Sequence, residues 1–120
     1  MQIELLKSKI HRARITAANV DYEGSLTIAE DLMEAVGLHT YEKILCGNLT
    51  NGHRFETYAI KGKRGSGSII LNGGVARLGQ VGDLLTIMSY THVEEKEACT
   101  WKPRMILLGK DNAISPKTTH

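Results

Sequence analysis

The sequence predicts a mainly β protein: one small barrel of short strands with one or two short helices. Three observations carry this. Short runs rich in Ile, Leu, Val and Thr recur along the chain. Frequent turn signals divide them, with twelve glycines and the clusters Asn51-Gly52, Gly65-Ser66-Gly67 and Asn72-Gly73-Gly74. Only one segment carries a sustained helical period. Many short strands joined by tight turns close into a small barrel.

Six strands are expected, at residues 12–20, 43–49, 54–60, 68–71, 84–93 and 104–108. Asn51-Gly52 between the second and third is a hairpin signal, because both residues accept the positive φ that tight hairpin turns require. The helix follows residue 27. Thr27 and Glu30 form a Thr-x-x-Glu capping box, and Ile28, Leu32, Ala35 and Val36 share a face. Gly37 is a natural stop. A second helical piece is expected near residues 94–99, before Pro103. The polar stretch 112–120, with Pro116, reads as a mobile tail.

At 120 residues the chain suits one domain, 1–120, with room for a single core. Fifteen Lys and Arg against thirteen Asp and Glu leave a net charge of +2, too small to point to nucleic acid or an anionic membrane. The N-terminus has an early acid and no long apolar run, so no signal peptide is read. No stretch reaches a membrane-spanning length. Cys46 and Cys99 form no CxxC, which suits a reduced, cytoplasmic chain. None of the five histidines pairs with another histidine or a cysteine at metal-ligand spacing, so no metal site is read.

The chemistry-bearing residues fall in separate short motifs. Lys9-Ile10-His11-Arg12 is followed by Asp21-Tyr22-Glu23-Gly24-Ser25, then by Thr50-Asn51-Gly52 and Arg54-Phe55-Glu56-Thr57-Tyr58. Asn72-Gly73-Gly74 and Val81-Gly82-Asp83 come last. Each has an ordinary reading. A Gly-Ser pair makes a turn, an Asn-Gly-Gly makes a turn, and a Lys or Arg is most often a solvated charge. Tyr58 shares a strand face with Ile60, as a packed strand residue would. Thr57 and Tyr58 point to opposite faces of a regular strand, so both reach one site only if the strand is irregular there or a second subunit takes part.

As a set and in this order, these motifs resemble the pyruvoyl-dependent aspartate decarboxylase family, from Lys9 to about Asp111. The resemblance implies a six-stranded double-psi β barrel, assembled as a homotetramer with active sites between subunits. It implies a zymogen that cuts itself between Gly24 and Ser25, into 1–24 and 25–120. Ser25 attacks the Gly24 carbonyl and becomes a pyruvoyl group, the cofactor that forms a Schiff base with substrate; neither metal nor pyridoxal phosphate is needed. The implied reaction is decarboxylation of L-aspartate to β-alanine, for pantothenate and coenzyme A synthesis. A maturation factor assists some members.

Residue by residue, the resemblance makes Thr57 the oxyanion donor and Tyr58 the proton donor. It makes Lys9 and Arg54 the holders of substrate carboxylates. Asn72, Gly73, Gly74 and Val75 contact substrate, and His11 and Tyr22 support the site. Two places depart from the family pattern. Gly73-Gly74-Val75 stands where Gly-Ala-Ala is usual, and Gly47 stands where some members carry tryptophan. Two other functions compete with this reading. A non-enzymatic barrel that keeps Gly24-Ser25 whole leaves the six matching polar residues unexplained. Nucleic-acid binding through Lys61, Lys63, Arg64 and Arg77 fits poorly with 5% aromatics.

Overall fold

The computed structural model of the protein describes residues 1–117. Its first strand is longer than the sequence predicts. β1 covers Gln2–Arg14, and its N-terminal half escapes a period-two reading for a physical reason. The register against its partner slips between Leu6 and Ser8 and again between Ile10 and Ala13. Each bulge shifts which residues face inward, so alternation breaks although the ladder continues. Arg12, in the second slip, has φ +63. After Arg14 the chain turns, and β2 is only Ala17–Asn19. The single strand expected at 12–20 is therefore the end of one strand and the whole of another.

The capping box is overturned. Ser25–Ala29 form a strand, β3, and the helix α1 begins only at Glu30 and runs to Val36. Its N-cap is Ala29, which makes no side-chain cap. The magnitudes explain the outcome. A cap contributes about 1 kcal/mol, whereas Leu26 and Ile28 are wholly buried in β3, and burying each such side chain contributes about 1.5–3 kcal/mol. Gly37 does stop the helix, in the left-handed conformation with φ 74.

The other elements follow closely. β4 is Lys43–Asn48, β5 is Arg54–Gly62 and β6 is Ile69–Asn72. A 3-10 helix covers Gly73–Leu78, where a simple turn was expected. β7 is Leu84–Glu94, the short helix α2 is Glu95–Ala98, and β8 is Arg104–Leu107. The described residues thus carry eight strands, two more than the six expected, within the mainly β class.

The strands make one sheet in the order β2-β6-β3-β5-β4-β7-β1-β8. Three pairs are parallel: β1 with β8, β2 with β6, and β3 with β5. β5 belongs to both halves. Its residues 54–58 pair with β4, and its residues 59–62 pair with β3. The two ends of the sheet meet at buried Asn112. Its Oδ1 accepts the Arg14 N–H, and its Nδ2 donates to the Arg14 and Gly67 carbonyls. The Ser115 N–H donates to the Leu107 carbonyl, so the start of the expected mobile tail is tied to the barrel. Residues 118–120 of that tail lie outside the described residues. The core joins Ile10, Leu26, Ile28, Ile44, Leu71 and Ile87, all at most 1% exposed.

Two sequence motifs are architectural. Asn48 Oδ1 accepts the N–H groups of Thr50 and Asn51, and its Nδ2 donates to Asp83 and the Leu78 carbonyl. Thr50 Oγ1 accepts the Leu84 N–H. Thr50-Asn51-Gly52 and Val81-Gly82-Asp83 therefore brace each other. Gly52, at φ +83, takes the hairpin conformation that Asn-Gly predicts. No helix of the described residues is long and apolar enough to cross a membrane.

One partly buried ion pair ties α1 to the barrel. Lys7 Nζ donates to both Glu42 carboxylate oxygens, at 2.8 and 2.9 Å, and to the Gly37 carbonyl. Burial pushes the Glu42 carboxyl up; hydrogen bonds from Lys7 and the His39 N–H, with the Lys7 charge, outweigh it and hold the carboxyl below its usual range. A carboxyl depressed in the folded state stabilises above its unfolded pKa and loses that contribution as pH falls through the folded pKa. Glu42→Gln should cost about 1–3 kcal/mol at pH 7. Urea titrations of both proteins at falling pH should show the difference shrinking through the acid range.

Candidate active site

Ser25 opens β3, and Asn72 closes β6, directly opposite it in the antiparallel register. Both are 3% exposed. Asn72 Nδ2 donates to Ser25 Oγ at 3.1 Å and to Thr27 Oγ1 at 2.9 Å. An amide nitrogen has two hydrogens, so these two contacts use both. Thr27 thus fixes the plane of the amide that faces Ser25. The sequence assigned Thr27 to a helix cap; its hydroxyl is spent here instead. The Ser25 hydroxyl keeps its own proton, with the Glu23 carbonyl at a long 3.5 Å.

The turn after β6 presses on the chain just before Ser25. Gly73 has φ +72, and a Cβ on it would lie 2.6 Å from Gly24 N and 2.8 Å from the Tyr22 carbonyl oxygen. Only a residue without a side chain fits. Gly74 is different: a Cβ there would meet nothing within 4 Å. Val75 packs against the core. A departure from the family pattern at 74–75 is therefore sterically accommodated.

A cavity of about 610 Å³ opens in front of Ser25. Tyr22, Tyr41, Tyr58 and Ile60 wall it, with Thr27 and Asn72 beside the serine. Tyr58 reaches it because β3 and β5 run parallel, with Leu26 beside Ala59. Ser25 and Tyr58 each immediately precede that pair, and both line the cavity. Tyr58 is also the last residue of β5 to pair with β4, opposite Lys43, before β5 passes to β3. Thr57 is half-buried and is not among the cavity walls. Alternation along β5 puts it on the face opposite Tyr58.

The remaining predicted residues lie elsewhere on the chain. Lys9 and His11 line a separate cavity of about 250 Å³ with Met105, Ile106 and Leu107. Arg54 is exposed at the start of β5, about 13 Å along the strand from Tyr58 by the rise of four residues. Sheet register aligns Arg54 with Gly47 on β4, and Gly47 with Thr86 on β7. His11 Nδ1 lies 3.2 Å from Thr86 Oγ1. His11, Thr86, Gly47 and Arg54 thus form a row across four strands. With glycine at 47 the row is open, since a Cβ there would first meet Arg54 Nη1 at 3.8 Å. Burial, with the Lys9 and Arg12 charges, pushes the His11 pKa down and keeps the imidazole neutral at neutral pH.

Neither Lys9 nor Arg54 has an ion-pair partner among the described residues, in contrast to Lys61 and Arg64, which pair with Glu30 and Glu34. The predicted residues thus fall into two groups: Ser25, Asn72, Tyr22 and Tyr58 around one cavity, and Lys9 and His11 beside another, with Arg54 in the row that His11 begins. Cys46 offers no further nucleophile: burial pushes its thiol up to about 12. Sequence reasoning missed Thr27 and Tyr41. Thr27 was masked by a competing helix signal, and Tyr41 lies in a connection that carries no motif.

Ser25 is thus a buried serine directly after a glycine, held by an amide and facing a cavity. The family model for aspartate decarboxylase matches residues 1–115. The chain is 53% identical over 114 residues to the aspartate 1-decarboxylase of Ralstonia pickettii, covering 95% of each. It is 54% identical over 114 residues to that of Caldicellulosiruptor saccharolyticus, covering 95% of this chain and 89% of the relative. With that of Burkholderia cenocepacia it shares 50% over 121 residues, 100% of this chain and 94% of the relative. The chain belongs to the aspartate decarboxylase family.

The two glycines separate by experiment. Gly73→Ala should displace the Gly24 backbone, block cleavage before Ser25 and lower the melting temperature. Gly74→Ala should cleave and melt as the parent does. Intact mass and thermal melts of both variants read these outcomes.

Proposed function

We propose that the chain is a pyruvoyl-dependent aspartate 1-decarboxylase that releases carbon dioxide from L-aspartate and yields β-alanine, for pantothenate and coenzyme A synthesis in the cytoplasm. The observation that carries this reading is Ser25, buried, hydrogen-bonded by Asn72 and bonded to the carbonyl of a glycine.

Maturation uses this chain's own atoms. Ser25 Oγ adds to the Gly24 carbonyl carbon and loses its proton, and the oxyanion so formed needs a donor. Thr57, next to Tyr58 on β5, is the residue that the family resemblance assigns to that task. The C–N bond breaks, the nitrogen takes up the proton, and an ester replaces the amide. Loss of the Ser25 α proton then expels the Gly24 carboxylate and leaves dehydroalanine at residue 25. Its imine tautomer takes up one water and releases ammonia, leaving a pyruvoyl group at the head of 25–120. Atoms balance with one water in and one ammonia out.

The residues present fit such a group. Asn72 Nδ2 is a donor facing whatever oxygen residue 25 carries, and Thr27 holds that amide independently of Ser25. When formed, the group supplies an electron sink for the pair left behind as carbon dioxide departs. Tyr58 holds a proton at its hydroxyl on the cavity wall, for return to the substrate α carbon. Arg54 and Lys9 supply the positive charge that two substrate carboxylates require. Backbone N–H groups of Gly73, Gly74 and Val75 approach the substrate, and His11 and Tyr22 orient their neighbours.

Lys9, His11 and Arg54 do not line the Ser25 cavity, so the complete site draws on a second copy of the chain. A homotetramer with sites between subunits meets that need. A maturation factor sets the rate of cleavage where the chain alone is slow.

Intact mass after incubation, with and without a cell extract of the source, tests the reading. Two fragments, 1–24 and 25–120, are expected, the larger lighter by one ammonia than a serine-headed fragment. Ser25→Ala should stay whole. Tyr58→Phe should cleave but lose about 10²–10⁴-fold in turnover of aspartate. A parent chain that stays whole under both conditions and leaves aspartate untouched would sink the proposal.

A further inference from the structure

Tyr41 stands in the connection between α1 and β4, outside every motif that points to the reaction. Its backbone has φ 71. That left-handed conformation suits Gly, Asn and Asp, and it is an outlier for a bulky aromatic residue. The ring does not repay the strain by burial, since Tyr41 is 75% exposed. For turn formation alone, asparagine or glycine would serve better.

The surroundings impose the conformation. The Tyr41 N–H donates to the Ala59 carbonyl at 2.7 Å, and the Ala59 N–H donates to the Glu42 carbonyl at 3.0 Å. Glu42 is held in turn by Lys7 and by the His39 N–H. The turn is thus clamped to β5 at the residue directly after Tyr58. Its consequence is a ring contact: the Tyr41 and Tyr58 centroids lie 6.0 Å apart with planes tilted 54°. That separation is in the range where aromatic pairs attract. Both rings wall the Ser25 cavity. The Tyr58 hydroxyl has no hydrogen-bond partner among the described residues, so ring packing rather than a polar contact orients it.

We propose that Tyr41 is a positioning residue: its ring, presented by a strained turn, holds the Tyr58 ring so that the hydroxyl faces the cavity before Ser25. The strain persists because it delivers this contact. The inference rests on the decarboxylase reading for its effect on turnover, but not for the ring contact itself.

Two variants of the matured protein test it, Tyr41→Asn and Tyr41→Phe. Tyr41→Asn removes the ring and suits the backbone. It should melt at or above the parent temperature, keep KM for aspartate within about twofold, and lose about tenfold in kcat. Tyr41→Phe should keep kcat. NMR of tyrosine-labelled protein supplies a readout apart from turnover: the Tyr58 ring signals should shift and its ring flips quicken in Tyr41→Asn, and stay as in the parent in Tyr41→Phe. Unmoved Tyr58 signals, or parental kcat in Tyr41→Asn, would overturn the proposal. So would a drop in melting temperature of several degrees, which would make Tyr41 a structural residue. A parent that fails to consume aspartate defeats the decarboxylase reading instead, and the ring signals still decide whether Tyr41 holds Tyr58.

Discussion

The candidate site hangs on the close approach of two backbones, at Gly73 and Gly24. With no side chain at 73 and a left-handed φ, the turn after β6 lies against the segment that leads into Ser25. That approach lets β6 pair with β3 up to the last residue, which sets Asn72 opposite Ser25. The Asn72 amide then reaches the Ser25 hydroxyl from within the ladder, and Thr27, two residues along the same strand, holds the amide from its other side. Ser25 and the Asn72 amide are thus placed by strand pairing.

β5 carries the second restraint. It is the strand that both halves of the sheet share, and Tyr58 sits where it passes from one partner to the other. The turn at 39–42 is hydrogen-bonded to β5 at that changeover, and Lys7 secures the turn from β1. A conformation unfavourable for tyrosine is held by contacts to two strands, β5 and β1. Strain stored beside a reactive group, with the supporting bonds placed around it, is a common economy of active sites.

Charge is sorted in the same way. Three cations beside α1 are paired within the chain, Lys7 with Glu42, Lys61 with Glu30, and Arg64 with Glu30 and Glu34. Lys9 and Arg54 are not, among the described residues, and they stand outside the Ser25 cavity.

The sequence by itself determined the mainly β class, the hairpin at Asn51-Gly52, the stop at Gly37 and the short helix near residue 95, and its motifs named Tyr22, Tyr58 and Asn72, which lie with Ser25 around one cavity. These are local matters of turn chemistry, or motifs that point to one site only when read as a set. Tertiary structure decided the rest. Thr27 carried a helix signal of about 1 kcal/mol, and the burial of Leu26 and Ile28 between two strands overrode it. The first half of β1 was illegible because two bulges break its alternation while its pairing continues. Tyr41 could not be found from sequence, because its role depends on a contact with Tyr58, seventeen positions away, and on a backbone angle imposed from outside its own segment. Pairing register and imposed strain belong to the folded chain, and no local pattern encodes them.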